Sequence, residues 1–229
     1  MLAGLTAKLG AGDPVVFLGD YIDGGPAVEQ TIQLLIDFRD SHRGPSVFLQ
    51  GNHEQWFLRS VDDPTKHSWI LSMRGLSTIG SYAPRLEEHF RSLMQRTGPA
   101  LISDNLTLPY EQVLAAMPEP HVRFFRALRT AYEDELCICT HAGLSCESVG
   151  LSQQTDRDLL WGHESFPDCY TGSKLVVYGH FSKRARTVDG VVIPFRKNNT
   201  ICLDTSKHGA VSALILPQRR LLQSTGGSS

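Results

Sequence analysis

Residues 15–25 read VVFLGDYIDGG, and the fold class can be inferred from them. The four apolar residues 15–18 are typical of a short strand that is buried on both faces of a sheet. The run stops at Gly19–Asp20, and Pro26 then suits the first turn of a helix. A buried strand followed directly by a helix predicts an α/β fold, in which polar residues collect at the strand tips.

The same pattern returns along the chain. Further buried strands are predicted at 46–49, 136–140 and 175–178. Residues 61–130 are more polar and predict mainly helices and loops, with an apolar core stripe at Phe124, Phe125 and Leu128. Short β-rich runs predict an antiparallel meander near the C-terminus, at 190–195, 200–203 and 211–216. A short helix is also predicted over residues 1–10.

Composition narrows the class of protein. The chain has 229 residues, 41% of them hydrophobic and 20% charged, which is typical of a globular protein and excludes disorder or a fibre. The net charge of −2 gives no support to duplex nucleic acid as a partner. The sequence has neither the roughly 20-residue apolar run of a membrane span nor the apolar core of a secretory signal.

The chain contains five cysteines, at positions 137, 139, 146, 169 and 202. The number is odd, and most of them lie in apolar stretches. Buried reduced thiols in a cytoplasmic protein are therefore the expectation.

Each of the four predicted inner strands is followed by a residue that can bind metal or move a proton. These residues are Asp20, Asn52–His53, His141 and His180. A lone histidine at a strand tip is more often a hydrogen-bonded structural residue, but four such tips indicate a common site. Carboxylate, amide and imidazole donors without thiolate suit Mn²⁺, Fe or Zn²⁺.

Four motifs sharpen this interpretation. They are GDYIDGG at 19–25, GNHE at 51–54, THAGL at 140–144 and GHF at 179–181. In this order they resemble the calcineurin-like metallophosphoesterases, in particular the bacterial branch of the serine/threonine phosphoprotein phosphatases. LLW at 159–161 and LDT at 203–205 are also similar to that branch, so the resemblance covers about residues 13–217.

The resemblance implies a four-layer α/β/β/α sandwich, as a single domain over residues 1–220 with a disordered tail at 221–229. It implies two divalent metal ions, with Mn²⁺ expected first and Fe or Zn²⁺ as alternatives. Asp20 would bridge the ions, and the second ion would be completed by Asn52, His141 and His180. Asn52 would also contact the substrate phosphate.

The resemblance also implies that His53 is the general acid that protonates the leaving alkoxide, while Asp23 keeps it protonated. From the residues alone, Asp23 could instead be a turn or N-cap residue before Pro26. Glu54 is expected to cap the helix that follows it rather than to bind metal.

Three departures from the family stand out. The family opens with a D-x-H motif that ligates the first metal, but the nineteen residues before Asp20 contain no His. We therefore expect the first strand and two ligands to be missing, as after a truncation or a misassigned start codon. Gly24 and His163 stand where the family has phosphate-binding arginines, and a protonated His163 would replace its arginine only weakly. His163 could equally be an exposed loop residue.

Three functions remain open. The leading hypothesis is a metal-dependent phosphoesterase that hydrolyses phosphate monoesters, on a phosphorylated protein or a small phosphorylated molecule. The first alternative is a dinucleoside polyphosphate hydrolase of the same fold. The second is a catalytically impaired protein that binds phosphate without turnover. All three predict a cytoplasmic protein that binds neither membrane nor duplex nucleic acid.

Overall fold

The computed structural model describes residues 8–10, 12–146 and 150–225. The chain divides into two compact units. The first consists of Met1–Gly19, Arg43–Gly51 and Arg129–Ser229, and the second of Asp20–His42 and Asn52–Leu128. The single domain predicted over residues 1–220 therefore contains two compact units.

The first unit carries the sheets. Strand β1 (Val15–Phe17) pairs in parallel with β2 (Ser46–Phe48), as the short apolar runs predict. The other strands are β3 (Ala131–Glu133), β4 (Cys137–Thr140), β5 (Leu175–Tyr178), β6 (Arg186–Val188), β7 (Val191–Ile193), β8 (Phe195–Lys197), β9 (Thr200–Cys202), β10 (Ala210–Ile215) and β11 (Arg220–Thr225). Five of them form a sheet in the order β3-β4-β5-β9-β8.

The parallel core of this sheet positions the first unit's polar residues. Strands β4, β5 and β9 run parallel to one another, and β4 and β5 are buried along their whole length. Their apolar side chains pack with Val47 and Leu49 into one hydrophobic cluster. Because parallel strands end at the same edge of a sheet, His141 after β4 and His180 after β5 emerge side by side.

The C-terminal part differs from the sequence prediction in two ways. The predicted run at 190–195 corresponds to β7, which pairs antiparallel with β6 rather than with β9, and β9 joins β5 in parallel, so the runs do not form the predicted meander. Residues 221–225, predicted as part of a disordered tail, belong to β11, which pairs antiparallel with β10. The cause is backbone pairing with β10, a contact between strands that the composition of the tail does not reveal. Residues 226–229 lie outside the described residues.

The second unit is helical, as residues 61–130 predict. Its helices are α1 (Val28–Ser41), α2 (Asn52–Asp62), α3 (Ser68–Ser72), α4 (Gly75–Tyr82), α5 (Pro84–Thr97), α6 (Ala100–Ser103), α7 (Tyr110–Ala116) and α8 (Glu119–Arg126). Phe124 and Phe125 are buried in its core, as predicted. Two short helices, α9 (Asp156–Leu160) and α10 (Phe166–Cys169), belong to the first unit. The mixed α/β prediction is confirmed.

The cysteines are not all reduced. Cys137, Cys139 and Cys202 are buried free thiols, as expected, but Cys146 and Cys169 form a disulfide. The prediction is wrong for this pair because the fold brings together two loop and helix-end residues that are 23 positions apart in sequence. Within the described ranges, no helix has both the length and the apolar character to cross a bilayer. Most of the helix predicted over residues 1–10 lies outside the described residues.

Candidate functional site

His141 and His180 converge at the carboxyl edge of the parallel sheet in the first unit. Nε2 of His141 lies 3.2 Å from Nδ1 of His180, and the ring centroids are 5.1 Å apart. The backbones are also joined, since Gly179 N–H donates to the carbonyl of His141 at 2.7 Å. Two of the predicted metal ligands therefore present ring nitrogens to each other.

The ring of His141 is fixed on its far side. Its Nδ1 lies 2.7 Å from the carbonyl oxygen of Leu18, which can only accept, so Nδ1 carries the hydrogen. This tautomer leaves a lone pair on Nε2, the arrangement that prepares a histidine for a metal. Gly19 makes the close approach feasible, because a Cβ there would lie 2.9 Å from Nδ1 of His141 and 2.6 Å from Gly51 N.

His180 occupies a strained backbone position. Its φ is 66°, in the left-handed region that non-glycine residues adopt rarely. Its ring meets the edges of Trp161 and Phe181, at centroid distances of 6.4 Å and 4.9 Å. Strain of this kind persists when the surroundings enforce it and is common at functional sites.

His163, the predicted phosphate contact, lies on an exposed loop of the same unit. Its Nδ1 accepts hydrogen bonds from the hydroxyl and the backbone N–H of Ser165, at 2.6 Å and 3.2 Å. The loop is held close to the His141 loop, because Ala142 N–H donates to the carbonyl of Leu159 and a Cβ on Gly162 would lie 2.2 Å from the Ala142 oxygen. Nε2 of His163 is therefore the nitrogen that can reach a ligand.

In the second unit, Asp20 and Asn52 lie beside a buried carboxylate that the sequence places differently. Glu54 is fully buried, and its two oxygens accept the backbone N–H groups of Asp20 and Tyr21 at 3.0 Å and 2.6 Å. The expected role as a helix cap is wrong in this respect, because its side chain reaches a loop 33 residues earlier. Glu54 thus holds the strained turn at Asp20, whose φ is 59°.

His53 and Asp23 form the predicted pair. Nδ1 of His53 lies 2.9 Å from Oδ2 of Asp23, whose side chain is fully buried. Burial lowers the pKa of His53, but the hydrogen bond to Asp23 and the charges of Asp20, Asp23 and Glu54 outweigh it, so the pKa rises above its usual value. The imidazolium form is therefore favoured, as a proton donor requires. Asp23 is not a helix cap, since α1 begins after Ala27.

Two residues of this cluster escape sequence reasoning. Trp69 Nε1–H donates to Oδ2 of Asp23 at 2.9 Å, and the hydroxyl of Thr78 donates to Oδ1 at 2.5 Å. They follow Asp23 by 46 and 55 residues, and no spacing links them to it. The one available signal is that a buried tryptophan needs a partner for its N–H.

The donors that are present fit a divalent metal. The first unit offers the paired imidazoles of His141 and His180, one of them oriented by a carbonyl oxygen. The second unit offers the exposed carboxylate of Asp20 and the amide of Asn52. Backbone N–H of His53 lies 3.5 Å from Oδ1 of Asp20, so the two motifs of this unit lie together. Nitrogen and oxygen donors of this kind suit Mn²⁺, Fe or Zn²⁺.

Comparison with known proteins agrees with the motifs. A family model described as calcineurin-like phosphoesterase matches residues 2–184. No curated protein sequence matches this chain. A crystal structure described as that of a candidate diadenosine tetraphosphatase is similar, with 16% identity and a TM-score of 0.63 over 100% of this chain and 87% of that chain. A metallophosphoesterase from Sphaerobacter thermophilus is 12% identical, with a TM-score of 0.48 over 98% and 82% of the two chains. The first likeness shows a shared fold.

Proposed function

Since the chain belongs to the calcineurin-like phosphoesterase family, we propose that it is a metal-dependent hydrolase of phosphate monoesters. The substrate is a phosphorylated serine or threonine of a protein, or a small phosphorylated molecule. The observation that carries the proposal is the hydrogen bond between His53 and the buried carboxylate of Asp23. Such a pair serves a reaction in which a leaving oxygen needs a proton.

The proposed ligands of the divalent ions are Asp20, Asn52, His141 and His180. The orientation of His141 by Leu18 supports this assignment, as does the nitrogen pair that it forms with His180. Two bound ions, Mn²⁺ in the first instance, would neutralise phosphate charge and lower the pKa of a bound water.

The proposed proton donor is His53. Since Nδ1 is engaged by Asp23, Nε2 is the nitrogen that delivers a proton to the leaving oxygen. Asp23 fixes the ring and stabilises its positive charge. Asn52 and His163 contact the substrate phosphate in this proposal, and His163 does so through the N–H at Nε2, because its Nδ1 accepts from Ser165.

The first test measures hydrolysis of phenyl phosphate with and without Mn²⁺. We expect a Mn²⁺-dependent rate that Asp20→Asn abolishes. His53→Asn should lower kcat about 100-fold or more, because general acid catalysis typically contributes that much. His89→Asn is the matched control, since His89 lies exposed on α5. Unchanged turnover in Asp20→Asn would contradict the mechanism.

A dinucleoside polyphosphate hydrolase is the second candidate. The first similar structure is described as a candidate diadenosine tetraphosphatase, so diadenosine tetraphosphate is one of the substrates to be tested. The likeness itself, at 16% identity, shows the fold alone. Release of nucleoside diphosphates at a higher kcat/KM than for phosphoserine peptides would favour this candidate. Binding of either compound without turnover would favour a phosphate-binding protein with impaired catalysis.

The proposed setting is the cytoplasm, without membrane or duplex nucleic acid as partners. The net charge of −2 supports the proposal that duplex nucleic acid is not a partner. A cytoplasmic location was expected because the cysteines were predicted to be reduced thiols. Since Cys146 and Cys169 form a disulfide, the other three cysteines alone support that location. Cell fractionation tests the location directly.

A further inference from the structure

The carboxylate of Asp23 accepts hydrogen bonds from three side chains, and the proposed chemistry uses only one of them. His53 and Trp69 share Oδ2, each at 2.9 Å, while Thr78 donates to Oδ1 at 2.5 Å. All of these residues belong to the second compact unit. Trp69 and Thr78 come from helices α3 and α4, which carry none of the sequence-predicted site residues.

Thr78 holds Asp23 at two points. Its hydroxyl donates to the carboxylate and accepts the backbone N–H of Asp23 at 3.1 Å. The carboxylate and the backbone of Asp23 are therefore tied to the same oxygen, which fixes the side-chain direction. Thr78 is itself fully buried, so water cannot replace it as a donor.

Trp69 is held as firmly. Its indole is fully buried, and a Cβ on Gly75 would lie only 2.6 Å from the ring, so the start of α4 packs directly against it. On another side its ring lies 4.8 Å from that of Phe57, which belongs to α2, the helix that carries His53. Packing around the indole therefore fixes the direction in which its N–H points towards Oδ2 of Asp23.

These contacts act on the histidine through Asp23. Two neutral donors hold both oxygens of the carboxylate, and the remaining direction at Oδ2 receives Nδ1 of His53. A buried partner that cannot rotate fixes the ring orientation and the tautomer of its histidine. Loss of either donor would leave Asp23 free to turn or would leave one of its buried oxygens without a partner, which is costly.

We infer that Trp69 and Thr78 are positioning residues, which hold Asp23 so that Nε2 of His53 faces the leaving oxygen of the substrate. The inference rests on the proposed role of His53 as proton donor. It extends the site to the helical region after residue 61. It also makes proton delivery, rather than phosphate binding, the step that this region controls.

The test compares two substrates that differ in their need for a proton. p-Nitrophenolate leaves readily without one, whereas the more basic phenolate of phenyl phosphate depends on proton donation. In Mn²⁺, we expect Trp69→Phe and Thr78→Val to lower kcat/KM for phenyl phosphate about 10-fold more than for p-nitrophenyl phosphate. His53→Asn should shift the ratio further in the same direction, and Thr78→Ser, which keeps the hydroxyl, should restore it.

Matched controls are Trp56→Phe on α2 and Thr97→Val on α5, which should leave the substrate ratio unchanged. Equal losses on both substrates in Trp69→Phe and Thr78→Val would mean a merely structural role and would overturn the inference. If His53→Asn itself leaves the ratio unchanged, the proposed proton donor is wrong instead.

A second measurement decides the inference even if the protein turns over neither substrate. In metal-free protein labelled with ¹⁵N-histidine, the Nδ1–H signal of His53 is assigned by its loss in His53→Asn. We expect this signal in the wild type and in Thr78→Ser, and its loss through faster exchange with water in Thr78→Val and Trp69→Phe. Circular dichroism confirms that each variant is folded. A signal that persists in both would overturn the inference.

Discussion

Asp23 links the proposed proton donor, His53, to the helices that carry Trp69 and Thr78. Burial raises the pKa of its carboxyl, and the hydrogen bonds with His53, Thr78 and Trp69 offset only part of that rise. Its φ of 68° adds a strained backbone to a desolvated side chain. Neither the desolvated carboxyl nor the strained backbone stabilises the fold, and both are consistent with a functional constraint on Asp23.

Gly24 allows a gain-of-function prediction at the neighbouring position. The family has an arginine here that grips the substrate phosphate, and an added Cβ on Gly24 would meet nothing within 4 Å. We therefore expect Gly24→Arg to raise kcat/KM for phosphate monoesters. A charge-assisted hydrogen bond is worth about 1.5–3 kcal/mol, or roughly 10-fold or more in rate. Steady-state kinetics with phenyl phosphate in Mn²⁺ measures the change.

Gly25→Arg is the matched control for this variant, because Gly25 is also exposed and its Cβ would also meet nothing within 4 Å. It adds the same charge one residue further along. An equal rise in both variants would assign the effect to general electrostatic attraction rather than to a specific phosphate contact.

Among the elements, the first turn of α2 carries three consecutive residues of the candidate site. Successive side chains on a helix point about 100° apart. Asn52, His53 and Glu54 therefore point in different directions. Asn52 is a candidate ligand, His53 faces Asp23, and Glu54 accepts from the amides of Asp20 and Tyr21. One helix start therefore supplies the partner of Asp23 and the carboxylate that holds the turn at Asp20, next to the proposed ligand Asn52.

A polar contact between three helices predicts a pH dependence of stability. On α8, His121 accepts from the hydroxyl of Tyr82 at 2.8 Å and donates to the side-chain oxygen of Gln33 at 3.0 Å. Burial lowers the pKa of His121, which the charges of Glu29 and Asp37 only partly oppose. The unfolded chain therefore takes up a proton first, and stability falls as the pH drops through about 6.5 towards the lower folded pKa.

We accordingly expect the loss of stability caused by His121→Gln to be smaller at pH 5.5 than at pH 7.5. Urea unfolding at both values measures it. His89→Gln is the matched control and should change the stability little, because His89 is exposed. A difference that grows as the pH falls would show that His121 gains a stabilising charge instead.

For the molecule as a whole, a metal ion bound by the proposed ligands should contribute to stability. A ligand that binds only the folded protein at about 100 times its Kd stabilises it by about 2.7 kcal/mol. For a chain of this size that corresponds to a rise in Tm of about 5 °C or more.

We expect Mn²⁺ to raise the Tm by this amount, and EDTA to reverse the effect. Asp20→Asn and His141→Asn should each reduce the shift, whereas His89→Asn should keep it. Differential scanning calorimetry measures the three variants with the wild type. A full shift in both ligand variants would refute the ligand assignment.

The α/β class, the strand tips and the family were predictable from the amino-acid sequence. Short apolar runs and the motifs that follow them are local patterns, and they survive in one dimension. For the same reason the amino-acid order alone suffices to select Asp20, Asn52, His141 and His180 as candidate ligands. The pairing of His53 with Asp23 was implied by the family resemblance.

The side chains that surround those residues depend on the tertiary fold. Trp69 and Thr78 reach Asp23 across 46 and 55 positions, Glu54 reaches back to Tyr21, and Cys146 meets Cys169. Contacts between residues this far apart in sequence depend on how helices and loops pack. Packing leaves no periodic signal along the chain, so the ligand candidates can be found in the sequence while the residues that hold them in place cannot.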